Sequence, residues 1–346
     1  MWTVHYRLIP IAAVCLLTAA ATASAAGNTQ FPAPTVLQET AEPAPTLQWK
    51  FRSGDQFTLD LKSTRNSTLM VAENPDTKNT SFEIRTSLSL QVLDVQDDVA
   101  RLELQYQSIS ISIEDGARAA ASTDPQEPQL GKGAPAKMAK AMIESLRPLL
   151  NVPVILEVNP TGKIEKLEIE ESFVEQILAA PNTMALRENL SREGVEKTLG
   201  SLLLTFPQQG SNQWTQESTV QVGQTPLTRI TQYSVVDASQ SDNVKIQFQS
   251  NVKFPEEQLA APETPEQLND TTLQGRPGPF NFDPVSAKWP RIARQEASGN
   301  IRFDQEAGLM ISSDSREILV TEKAQSNFII RTTIDTQSQA TMTKVQ

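Results

Sequence analysis

The sequence predicts a β-rich α+β protein with two similar antiparallel-sheet halves and amphipathic helices inserted mainly in the first. Three observations predict it. Long stretches such as "FTLDL" and "LELQY" alternate apolar and polar residues, the period of a strand with one buried and one wet face. Short polar or Gly-containing turns separate these stretches, as in an antiparallel meander. And "LELQYQS" (102–108) returns as "VKIQFQS" (244–250) among other matches in the same order.

The opening "MWTVHYRLIPIAAVCLLTAAATASAAGN" has one charge, Arg7, then an apolar run from Leu8 to Leu17, then Ala23-Ser24-Ala25. That is the build of a secretory signal with an A-x-A cleavage site, so residues 1–25 are expected to be a signal peptide. A retained N-terminal anchor is the alternative. The run falls short of the ~20 apolar residues of a membrane span, so no transmembrane segment is expected in the mature chain. Cys15 lies inside the apolar core, ahead of the cleavage region, which argues against a lipidated cysteine.

This cut has a chemical consequence. The single His and single Cys of the chain are His5 and Cys15. A mature chain starting at Ala26 has neither, which excludes disulfides, zinc sites built from His or Cys, a Cys nucleophile and a His general base. Its stability must come from its core. The formal charge of −11 argues against nucleic acid and anionic membrane surfaces as bulk partners.

Residues 26–46 are rich in Pro, Ala and Thr without periodicity and are expected to be a disordered leader. The first β-rich half is assigned to 47–169. A turn at Ser53-Gly54-Asp55 leads into a strand with Phe57, Leu59 and Leu61 on one face. A second strand carries Phe82, Ile84, Leu88, Leu90 and Val92, and a third carries Leu102, Leu104, Tyr106, Ile109, Ile111 and Ile113. The alternation slips by one at Gln107-Ser108, which predicts a bulge or bend. "DVQDD" is a polar hairpin turn between the last two strands. "GARAAASTDPQEPQLGKGAPA" reads as a Pro/Gly/Ala loop. A helix over 135–150 follows, with Met138, Met142, Leu146, Leu149 and Leu150 on one stripe. "VPVILEVNPTGKIEKLEI" is a hairpin whose Asn159, Pro160 and Gly162 suit a type I turn.

Residues 170–206 are expected to be a helical connection. Ser172 and Glu175 suggest a capping box, and Val195, Leu199, Leu202, Leu203 and Phe206 form the apolar face of a second helix. The second β-rich half is assigned to 207–346. Trp214 corresponds to Phe57, Asp237 to Asp94, Ile246 to Leu104 and Phe303 to Val158, and these collinear matches predict an internal duplication. Tyr106 and Phe248 then become matching core aromatics. Residues 255–290 form a Pro-rich strap, expected to be pinned by Phe280, Phe282 and Trp289. The final "FIIRTTIDTQSQATMTKV" is a strand that covers an edge or pairs with the first strand.

Little catalytic chemistry remains. Ser250-x-x-Lys253 needs a helix to share a face and sits on a strand instead. The Gly131-Lys132-Gly133 run lacks phosphate-loop spacing. Acidic clusters at Asp97-Asp98, Glu168 with Glu170-Glu171, and Glu256-Glu257 fall in turns or at a helix start, where solvated structural roles are usual. No calcium-loop pattern is present, and no catalytic residue, metal ligand or cofactor is assigned.

At "LQWKFRSGDQFTLDL" and "VPVILEVNPTGKIEKLEI" the chain resembles a group of exported bacterial proteins, of planctomycete and Bacteroidetes type, with a domain of unknown function. The resemblance implies a secreted or periplasmic β-rich protein and brings no activity with it. The expected function is that of an exported, non-enzymatic envelope protein that binds an apolar ligand or lipid between sheet and helices. Met138, Met142, Leu146, Leu199 and Leu203 would line that groove. The alternatives are a structural or protein-interaction module of the envelope and a carboxylate-based hydrolase. The partner is left open between lipid and an envelope protein.

Overall fold

The computed structural model describes residues 46–71, 74–127, 129–150, 152–173, 175, 203–222, 225–237, 243–253, 291–325 and 328–345. The expected signal, the leader up to residue 45, most of the second helical segment including Leu199, and the 255–290 strap lie outside them.

Alternation dictates long strands, and they form one antiparallel sheet. Its members are β1 (Gln56–Val71), β2 (Asn74–Gln96), β3 (Val99–Asp115), β4 (Ala117–Ser122), β5 (Val154–Val158), β6 (Ile164–Ile169), β7 (Gln213–Val222), β8 (Thr225–Asp237), β9 (Asn243–Lys253), β10 (Arg291–Asp304), β11 (Leu309–Gln325) and β12 (Phe328–Lys344). The spatial order is β6-β5-β3-β2-β1-β12-β11-β10-β9-β8-β7, with β4 paired to the far end of β3. β12 pairs with β1 along nearly its whole length, from Phe57 opposite Lys344 to Val71 opposite Ile330. Of the two placements open to the last strand, it takes the one beside the first strand.

Turn chemistry holds the expected hairpins. Asp97 and Asp98 sit at φ 50° and 65° between β2 and β3, the left-handed pair that a tight hairpin needs and that Asp tolerates. In the β5–β6 turn Gly162 N–H donates to Asn159 O at 2.9 Å. Asn159 Oδ1 accepts from the backbone N–H of Thr161 and of Lys163, each at 3.1 Å. The slip at Gln107 is a β-bulge: Ser87 faces Ser108 and Leu88 faces Tyr106, which leaves Gln107 unmatched.

The inward-facing residues curl the sheet around one cluster. Leu59, Leu88, Leu102, Leu156, Leu167, Ile246, Phe303, Met310 and Met342 come from nine different strands and lie in the same core. Trp49, Phe51 and Phe206 close its lower end: Phe206 and Phe303 meet at 4.8 Å, and Trp49 and Phe303 at 5.5 Å, both edge to face. Trp49 N–H donates to Pro160 O (2.8 Å) and Lys50 N–H to Gly308 O (3.0 Å). Two adjacent residues thus fasten the β5–β6 and β10–β11 turns. A second cluster joins Phe82, Ile84, Ile109, Ile111 and Ile113 to α1 (Gly133–Leu146), which packs with Ala139, Met142, Ile143 and Leu146.

Register runs in parallel in the two halves. Val92 faces Leu102 and Asp94 faces Arg101 around a bulge; Val235 faces Ile246 and Asp237 faces Lys245 around another. Val158 faces Ile164 after a slip beside its turn, and Phe303 faces Met310 after the same slip. Phe248 faces Tyr233 as Leu104 faces Leu90. By register Leu104 is the counterpart of Phe248, two places before the Tyr106 that sequence matching selected. A two-residue shift keeps the same face, so the pattern could not detect it.

Three expectations are corrected. The Ala-rich loop contains β4, which alanine's weak strand propensity concealed. The helix expected over 135–150 runs over 133–146 and tightens into a 3₁₀ turn, Arg147–Leu149, where Pro148 removes a backbone donor. Residues 203–206 are not helical: Pro207 disfavours helix at Phe206, whose N–H donates to Thr161 O at 2.7 Å. Leu203 and Phe206 are nonetheless buried.

Candidate functional site

Among the residues expected to line a groove, Met142 and Leu146 are buried against β3 and β4 in the helix–sheet cluster, with Met138 at its margin. Leu203 belongs to the other cluster. The structure unites the three residues of α1, separates Leu203 from them, and packs Met142 and Leu146 directly on the sheet.

The anticipated acidic clusters have structural surroundings. Asp97 and Asp98 form the hairpin turn. Glu168 is paired with Lys166 and lies 3.5 Å from Arg101. The hydrogen bond and charge of Lys166, with Arg101 behind them, hold its carboxyl below the usual range. Glu256 and Glu257 fall outside the described residues.

Two polar constellations stand out that the sequence reading did not assign. The first is buried on the inner face. One cross-strand row runs Arg65, Thr336, Glu317, Ala297, Ser250, Thr231, Gln216 from β1 to β7. Arg229 on β8 and Glu317 on β11 are separated by two strands that carry only Ser250 and Ala297 in this row, and Arg229 Nη2 reaches Glu317 Oε1 at 3.3 Å. Gln295 Nε2 also donates to Glu317 Oε1, and the hydroxyls of Thr231 and Ser250 meet at 2.8 Å. Burial lowers the Arg229 guanidinium pKa, against the opposing pull of Glu317 and Tyr233. The buried Glu317 carboxylate thus receives both Arg229 and Gln295, as buried charge requires.

The second constellation lies on the outer face. Gln247, Gln249, Ser298, Asn300, Asp314, Arg316, Gln337 and Gln339 border a trough of about 550 Å³ across β9–β12. Alternation places all eight side chains on one face, in two ladders. One ladder is Gln249–Ser298–Arg316–Gln337, the other Gln247–Asn300–Asp314–Gln339. Phe248, Gly299, Ser315 and Ser338 point inward between the ladders and also line the trough. Gly299 is required there. A Cβ on it would stand 2.2 Å from Asp314 O and 2.6 Å from the Phe248 ring, so a side chain would separate the strands. Asn300 donates to Asp314 at 3.1 Å, and Arg316 makes a two-pronged pair with Asp335 at 3.0 and 2.8 Å. The four glutamine side chains have no bonding partner among the described residues. The signal for this site was the run of alternating glutamines in "IQFQS" and "TQSQ", which reads from sequence as an ordinary wet face.

Many other outward positions are also hydrophilic, among them Thr58, Asp60, Lys62 and Thr64 on β1, Glu83, Arg85, Ser87 and Ser89 on β2, and Thr333, Asp335, Thr341 and Thr343 on β12, while Ile318 and Val320 on β11 are apolar. No described helix is long and apolar enough to cross a membrane. No family model matches the chain, and no curated protein does. Among solved structures, an outer membrane channel from Pseudomonas putida F1 aligns over 87% of this chain and 100% of its own at 8% identity and a TM-score of 0.17. OpdL of Pseudomonas aeruginosa aligns over 84% and 99% at 8% identity and a TM-score of 0.13. TM-scores of this size carry no argument about the fold or role of this chain.

Proposed function

We propose that the protein is exported to the cell envelope and serves there as a water-soluble, non-enzymatic binding module. The observation that carries the reading is the sorting of the sheet's two faces. A membrane barrel needs an outward apolar band and tolerates a polar lumen. Here the outward residues are mostly Thr, Ser, Gln and charged, and most apolar residues face the core. Export rests on the first 25 residues, and the resemblance to exported bacterial β-rich proteins points the same way. A structural or interaction role in the envelope is the second reading.

An apolar ligand between helix and sheet would have to displace Met142 and Leu146 from the core, so α1 would need to lift. A hydrolase built on paired carboxylates finds no support in Glu168, whose lowered pKa and ion pairs make it a poor proton donor.

We also infer that the halves descend from one repeated unit. In support, β6-β5-β3-β2-β1 and β11-β10-β9-β8-β7 follow the same spatial order, with β12 between them and matching bulges in each.

The test is fractionation of a bacterium expressing the full chain with a C-terminal tag. The expected outcome is recovery by osmotic shock or from the medium, without detergent, with Ala26 as the N-terminus. Recovery from the cytosol with residues 1–25 intact, or release by detergent alone, would overturn the reading. Native mass spectrometry of the same material would reveal a co-purifying lipid, which the packing of α1 argues against.

A further inference from the structure

We infer that the outer-face trough over β9–β12 binds a neutral, hydroxyl-rich chain, that is, a glycan lying across the strands; this rests on the reading of the protein as a binding module. The argument starts from charge. The chain carries −11 overall, yet the eight bordering side chains sum to zero, with Asp314 the one carboxylate and Arg316, which also pairs with Asp335, the one guanidinium. An anionic ligand would meet a guanidinium already occupied by a carboxylate, and a cationic one would find only the single Asp314 carboxylate, two residues along the strand from that guanidinium. What the trough offers freely is amide chemistry. Gln247, Gln249, Gln337 and Gln339 each carry a carbonyl acceptor and an amide with two donor hydrogens, and none is engaged within the described residues.

Sugar hydroxyls, which donate and accept, match such groups. The ladders repeat at the interstrand spacing, so across four strands they present polar groups over about 14 Å. That geometry favours a linear polymer over a compact solute. The floor is close-packed, because the Phe248 ring and the β11 backbone approach Gly299 beneath it. Without an aromatic platform among the eight bordering side chains, binding rests on hydrogen bonds exchanged with water. Affinity per site should therefore be modest, with avidity supplied by the length of the polymer.

The experiment screens the folded, exported chain on a printed panel of neutral and anionic glycans. The best-binding hexasaccharide is then titrated while the backbone amides of Gly299, Ser315 and Ser338 are followed by NMR. Binding to neutral members, shifts at those three amides, and about tenfold weakening in a Gln249→Ala/Gln337→Ala variant of unchanged melting temperature are expected. Both glutamines line the outer trough, so the variant should fold normally. A Gln247→Ala/Gln339→Ala variant provides the check from the other ladder. A blank neutral panel, tighter binding of the anionic members, shifts confined to other residues, or tighter binding of an extended decapeptide would each overturn the inference. None of these results depends on where the cell places the protein, so failure here leaves the fractionation result standing.

Discussion

Tyr106 and Tyr233 show how far single side chains obey burial. Burial pushes each phenol up to about 12, and for Tyr233 the nearby Arg229 charge and a hydrogen bond with Thr231 oppose the shift. A raised phenol favours the folded state fully below the unfolded value of about 10, and that contribution is lost as pH rises toward 12. Stability should therefore fall across that window. Tyrosinate absorbance in the protein without residues 1–25 should rise in one cooperative step together with loss of far-ultraviolet dichroism. A separate, earlier titration of one phenol would contradict the packing described. Which residues are buried was readable from alternation alone, and Phe57, Leu88, Leu102, Ile109 and Ile111 are each nearly inaccessible. The Arg229–Glu317 pair was not readable. Its members lie far apart in sequence, and only the register of four strands brings them together.

At the scale of elements, the hairpin turns carried the clearest local signals, because Asn, Asp and Gly are chosen for backbone geometry. Gly162 allows a sharp comparison. It and Gly54 share a φ of 86°, but a Cβ on Gly54 meets nothing within 4 Å, whereas one on Gly162 would stand 2.2 Å from Leu204 O and 2.5 Å from Trp49 Nε1. Gly54→Ala should cost about 1–2 kcal/mol of unfolding free energy for its dihedral alone. Gly162→Ala should cost clearly more, by urea denaturation, because it also expels the Trp49 indole from its hydrogen bond to Leu204 O. Equal costs would mean that the turn and the lower core are independent. The elements that sequence missed are those whose residues lack strong preference. β4 is mostly alanine and is a strand only because the far end of β3 offers it a partner. Leu203 to Phe206 has a helical spacing of apolar residues but lies before a proline and packs as irregular chain.

For the whole molecule, the meander and the central place of the last strand were open to sequence reasoning. The outer trough was not, because a wet face and a binding face use the same residues until the strands are set side by side. Residues 49–50 tie the two halves, and Trp49→Ala should lower stability by about 3–5 kcal/mol, as large core truncations do. Hydrogen exchange should then quicken at both turns, 159–162 and 304–308, together; a response at one turn alone would show that the halves are held elsewhere. The pairing of β1 with β12 has a further consequence, for the timing of folding. The strand at the middle of the sheet waits for the end of the chain: until Phe328–Lys344 is present, β1 has an open edge and the halves cannot join. A chain threaded through a membrane from its N-terminus thus crosses before its sheet can close. Long-range pairing of this kind folds slowly, and such slowness would keep the chain loose enough for the export proposed above.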